Sequence, residues 1–307
     1  MTAKWRLIDG RACGMLESMW RGLLLGTVGM LLFSWTFPAT RVAIPGFGAT
    51  VVGLGRAEIA AVCAAIYLIV MRERVPTRAQ LISLAVTASG VVAGFPLFTA
   101  LALESVPATH AAVVTGLLPA ATAIIAVVRA HERPSLLFWI GSMGGFLAVL
   151  WFAYTQGAGS LQIADLYLLL AVLCGAVGYT EGGRLSREMS GAAVISWVVV
   201  IAAPFVAIPV AIAIHNAPPH PNLMQWIGLL YVGLVSMYLG FFAWYRGLAE
   251  GGIARVSQLQ LAQPAITLVW SALFLGETIS RVTALAAAAI IVCVGVCMRA
   301  RFGGAPA

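Results

Sequence analysis

Residues 117–132 read LLPAATAIIAVVRAHE, and residues 262–277 read AQPAITLVWSALFLGE. Pro119 and Glu132 are 13 positions apart, as are Pro264 and Glu277, so one offset (264 − 119 = 145) superimposes both pairs. The same offset brings Thr122 onto Thr267, and Leu103 onto Leu248 where both helices near their ends. A period of 145 in 307 residues predicts two halves of one construction.

Outward from these segments, the chain is 61% apolar and only 9% charged, against roughly 25% charged for a soluble domain. Its mean hydropathy is +0.98. A soluble enzyme is excluded, because the charged residues are too few to build a water-facing surface. A transmembrane β-barrel is excluded by the long continuous apolar runs, since barrel strands alternate. A bilayer-spanning helix takes about 20 apolar residues. Runs of that kind, broken by Arg, Pro and Gly, predict ten spans near 19–40, 48–71, 80–101, 107–129, 136–154, 165–183, 192–214, 223–247, 252–275 and 280–298. The expected fold is therefore an all-α polytopic membrane protein. A first repeat of five spans occupies 19–155 and a second 160–300, between a polar segment 1–18 and a tail 301–307. Five is odd, so the second repeat inserts upside down, the construction of transporters that alternate access around a midplane site.

The net charge of +7 forms no basic run on a polar face, so no nucleic-acid partner is expected. Of the 18 basic residues, 15 fall on one side of the expected spans and Arg41, Arg56 and Arg281 on the other. By the positive-inside rule both termini are cytoplasmic, in a bacterial inner membrane. Residues 1–15 are polar and basic ahead of a first run too long for a signal peptide. The 5 cysteines show no zinc-ligand spacing, no phosphate-binding Walker loop is present, and no cofactor, metal or ATP is expected. Small pairs such as Gly22/Gly26 and Gly178/Gly182 predict close helix crossings inside one bundle, hence a monomer.

The stretch 95–145, with ALESVPA, the LLP of span four and the glutamate after it, resembles the EamA family of the drug/metabolite transporter superfamily. The stretch 244–280, ending QPAIT…LGE, is similar to the same domain again, and Trp35 and Arg56 also fit the pattern. The runs from Gly178-Tyr179 to Arg184-Leu185-Ser186 and from Tyr238 to Leu248 are most similar to the YddG-type exporters of aromatic amino acids and methyl viologen. The resemblance implies a secondary transporter, not an enzyme, working on small molecules: amino acids, and aromatic or cationic drugs.

Ser257, Gln260, Pro264, Thr267 and Ser271 fall at helical spacing on one face of span nine, with Gln263 beside them. Amides inside hydrocarbon need protein or water partners. They either tie helices together or form the polar wall of a central cavity. Trp35, Phe95, Tyr179 and Tyr238 lie deeper than an interfacial belt; they either pack or stack on substrate. Pro119 and Pro264 interrupt the backbone ladder and free a carbonyl one turn earlier, which bends the span or opens a pivot facing water or ligand. Arg56 sits at the outer head of span two, as a gating or structural residue. His110 is the one histidine within a span. Glu181 with Arg184 and Arg187 reads as a snorkelling surface cluster.

The expected function is export of aromatic and other apolar amino acids and related metabolites by alternating access. The alternatives are a nucleotide-sugar or phosphate-ester antiporter, which needs deep cations that these positions lack, and a channel or receptor without carrier activity.

Overall fold

The computed structural model describes residues 2–129, 135–156 and 162–299; Glu132 of the repeat signature lies outside them. The described residues form helices and no strands, as ten runs in the expected order. Span one is Glu17–Phe47, at the end of a helical run that begins at Thr2 and bends at Trp35; span two is Ala49–Val70 and span three Arg78–Ala102. Spans four to six are 108–129, Leu136–Gln156 and Ile163–Leu185. Spans seven to ten are Gly191–Asn216, Leu223–Gly251, 253–275 and Arg281–Arg299. Seven of them are long and apolar enough to cross a membrane. The fifth and tenth carry shorter apolar stretches, and the ninth is broken into segments.

Span one runs past its expected end at residue 40. Arg41, just past that end, turns inward and donates to the carbonyl of Leu103. The helix stops instead at Gly48, whose φ of 76° lies in the left-handed region that glycine tolerates. The bend at Trp35 follows from Pro38, which has no N–H for the carbonyl of Ser34. The hydroxyl of Thr267 in span nine donates to that carbonyl at 2.7 Å.

Four spans change helical type at mid-length. Spans three and eight contain π-helical segments at Ala88–Gly94 and Tyr231–Leu239. Spans four and nine tighten to 3-10 turns at Thr115–Leu117 and Ser257–Ala262. The ends of each pair obey the sequence offset (239 − 94 = 145; 262 − 117 = 145). The 3-10 turns have a clear cause. Pro119 and Pro264 strip the donors from the carbonyls of Thr115 and Gln260, and those carbonyls are met three residues on, by the N–H groups of Leu118 and Gln263. Each freed carbonyl thus accepts one hydrogen bond within the chain.

Neighbours obey the same exchange of halves: span one packs on eight, three on six, two on seven, and five on ten. Glycine permits the closest crossings. A Cβ on Gly22 would fall 2.3 Å from the amide nitrogen of Gly251, and one on Gly90 2.5 Å from the carbonyl oxygen of Cys174. The outer faces carry exposed apolar side chains such as Leu24, Ile66, Phe205 and Leu273, the surface that lipid covers.

Candidate functional site

The interrupted segments of spans three, four, eight and nine converge with spans one, two and six on a central cavity. It holds about 620 Å³ of space free of protein atoms, its open mouth included. Its apolar lining comes from Phe33 and Phe37 of span one, Val91 and Phe95 of span three, Leu118 of span four, and Met237 and Phe241 of span eight. Its polar lining includes Arg56, Tyr179, Ser236, Thr36, Gln260 and Gln263.

All of these polar residues but Arg56 are held by a traceable contact. Gln260 donates through Nε2 to the Tyr179 hydroxyl at 3.2 Å, leaving its Oε1 without a partner. Gln263 reaches the carbonyl of Phe33 at 3.5 Å, just before the bend in span one. Thr36 and Ser236 share a hydrogen bond of 2.7 Å across spans one and eight. Tyr179 packs against Phe241 and Trp244, whose ring centroids lie 6.0 and 5.4 Å away. Tyr245 continues this aromatic cluster through Phe241, 5.0 Å between centroids.

Of the residues singled out from sequence, Phe95, Tyr179, Gln260, Gln263, Thr267, Arg56 and Pro264 line the cavity. Trp35, Tyr238 and Ser257 do not. Trp35 packs on Tyr231 and Phe274, 5.6 and 5.1 Å between centroids. Tyr238 bonds the Ser196 hydroxyl at 2.8 Å and sits edge-on to Phe242. Ser257 turns its hydroxyl back to the carbonyl of Ala254. Pro119 stands behind the cavity, its own carbonyl accepting from Gln258 Nε2 at 3.2 Å. Depth along a span can be read from sequence, but the direction a side chain faces depends on the neighbour it meets.

Two charged residues differ from expectation. Arg56 is not at the head of its helix but two turns inside it, 3% exposed and facing the cavity. The deep cation whose absence argued against anionic substrates is therefore present. Glu181, expected at the surface, is 1% exposed. It joins Arg129 of span four at 2.6 Å and Arg184 at 3.3 Å, and Arg184 continues to the Ser83 hydroxyl at 2.7 Å. His110 meets Asp165 of span six at 2.7 Å, both buried. Near this pair the Glu277 carboxylate accepts from the amides of Ala108 and Thr109 at 3.1 Å. These contacts tie the two halves together on either side of the cavity.

Sequence reading missed Phe33, Thr36, Phe37, Ser236, Met237 and Phe241. The hydroxyl pair joins positions 200 apart, and the aromatic residues carry no signal that separates them from lipid-facing ones.

The family model described as the EamA-like transporter family matches residues 20–154 and again 162–299. An uncharacterized transporter of Bacillus subtilis (strain 168), YdeK, is 43% identical over 282 residues, which cover 91% of this chain and 97% of that protein. A probable terminal-alkyne amino-acid exporter of Streptantibioticus cattleyicolor is 24% identical over 245 residues, 78% of this chain and 81% of that one. A solved crystal structure superimposes with a TM-score of 0.67 at 18% identity, over 91% of this chain and 98% of its own. With the family's domain matched twice, the chain belongs to the EamA-like transporter family, and is a multi-pass membrane transporter rather than an enzyme.

Proposed function

We propose that the protein exports aromatic and other apolar amino acids, and related metabolites or drugs, across the inner membrane, as a monomer with cytoplasmic termini that works by alternating access. The observation that carries this reading is the cavity where four interrupted helices meet, two from each repeat. Interrupted spans bend at their weak turns more readily than continuous ones, so the repeats can rock about the cavity. Its mixed polar and apolar lining suits a solute with a polar head and an apolar body. An apolar wall separates one methylene or ring from another by only about 1–3 kcal/mol, so several apolar and aromatic amino acids are accepted. The printed name of the 24% identical relative, an amino-acid exporter, agrees with this class.

The test is counterflow in proteoliposomes with labelled phenylalanine and leucine. Saturable uptake, accelerated by unlabelled amino acid inside, is expected. Flux that neither saturates nor responds to internal substrate makes the protein a channel and overturns the reading.

Arg56 in the cavity favours a second reading, a phosphate-ester antiporter. A phosphate monoester carries about −1.5 to −2 charges at neutral pH. Among the described residues Arg56 is the one cationic side chain lining the cavity, which matches a single negative charge better.

A further inference from the structure

Arg56 stands apart from every other charged group described above. Glu181 and Asp165 are both buried and both paired, as buried charges generally are. Arg56 is as buried as they are, yet no hydrogen bond or carboxylate partner accompanies it among the described residues, and its Nε is unsatisfied. The phenol of Tyr179 lies within electrostatic reach of it. That phenol is the group to which Gln260 donates, and Gln260 in turn leaves its Oε1 unsatisfied, at 4% exposure, on the same cavity. The cavity lining thus includes a free cationic fork and a free amide oxygen as well as phenylalanine rings. The backbone of Arg56 is pinned as well: a Cβ on Gly233, in the π-helical segment of span eight, would lie 3.1 Å from the Arg56 carbonyl oxygen. The guanidinium is therefore presented by two helices in close contact.

Resting on the amino-acid reading above, we propose that Arg56 is the carboxylate anchor of the transported amino acid, with Gln260 Oε1 receiving its ammonium group. A guanidinium holds a carboxylate through two parallel N–H donors, a geometry a lone ammonium does not reproduce. The substrate then supplies the counter-charge that the protein withholds from Arg56. The cavity recognises one negative charge and one hydrogen-bond donor on adjacent atoms of a small molecule with an apolar tail.

Phenylalanine separates these elements when compared with phenylalaninamide and phenethylamine, which lack the carboxylate, and with 3-phenylpropionate, which lacks the amine. Binding is read as ligand-induced thermal stabilisation of the purified protein, with inorganic phosphate as a further probe. Wild-type protein is expected to bind phenylalanine at least thirtyfold more tightly than its amide, and 3-phenylpropionate more tightly than phenethylamine. Arg56→Gln should erase the acid-over-amide preference, and Arg56→Lys should restore part of it. Should Arg56→Gln fail to fold, the wild-type and Arg56→Lys comparisons decide. Equal binding of acid and amide by wild-type protein overturns the anchor, as does a stronger response to phosphate than to any carboxylate, or no response to any carboxylate. If Arg56→Gln binds and exchanges phenylalanine like wild type, the anchor fails while the amino-acid reading stands. If only 3-phenylpropionate binds, in an Arg56-dependent way, the amino-acid reading fails while the anchor stands.

Discussion

At the scale of single residues, the bilayer makes each polar group a question of where its hydrogen bond goes, since hydrocarbon offers no replacement. The Ser34 carbonyl, deprived of a donor by Pro38, depends on the Thr267 hydroxyl. Thr267→Val is expected to destabilise the protein by about 1–3 kcal/mol, read as a lowered melting temperature in detergent. Pro38→Ala restores a backbone donor, so the double variant should lose less than the sum of the two single ones; additive losses would refute this account of the bend. Gln260→Ala removes the amide that faces the cavity beside Tyr179. Its expected effect is a KM raised about tenfold for every accepted amino acid, the equivalent of one hydrogen bond of about 1.4 kcal/mol. Unchanged transport by normally inserted protein would make the span-nine face a packing surface.

At the scale of elements, the two 3-10 turns are consequences of proline, positioned alike in both repeats. Pro119→Ala and Pro264→Ala each return an N–H to the ladder and let the turn relax toward a regular helix. If these turns are where the halves bend, both variants should exchange substrate several-fold more slowly at nearly unchanged KM, in single-turnover counterflow. An unaltered rate would leave the prolines an architectural role alone. The π-helical segments have no such symmetrical cause. Pro96 follows the one in span three, but span eight carries Phe241 at the equivalent place. The break in span eight is the one a sequence reading has no means to locate.

At the scale of the whole molecule, the inverted repeat and the partition of basic residues lead to one topology. Single cysteines placed at 155–163 and at 215–222, in a background without the native cysteines, should label from the periplasmic side. Labelling only from the cytoplasm would contradict the proposed orientation. Proton coupling is expected to be weak, because Asp165 and Glu181 are held in pairs with His110 and Arg129 of the other repeat. His110 with Asp165 is the pair that tests this. Net flux should depend little on an imposed pH gradient, and a strict dependence abolished by His110→Gln would show the opposite.

The number and order of the helices, their membrane character and the two-fold construction were legible because each rests on local chemistry. Apolar length, the placement of proline and the recurrence of Pro-x12-Glu need no knowledge of neighbours. Gln260, Gln263, Thr267, Phe95 and Tyr179 were legible as cavity residues for a related reason: they lie midway along spans that the repeat brings together. Trp35 and Tyr238 lie at similar depth yet face Phe274 and Ser196, because the rotation of a helix about its axis is set by what packs against it. Arg56 and Glu181 looked like interfacial charges on the linear chain. Only the tertiary structure buries both, giving Glu181 two arginine partners and Arg56 none among the described residues. Local sequence determined which segments span the membrane. Which buried charges are neutralised by the protein, and which is left facing the cavity, was decided by contacts between residues far apart in the chain.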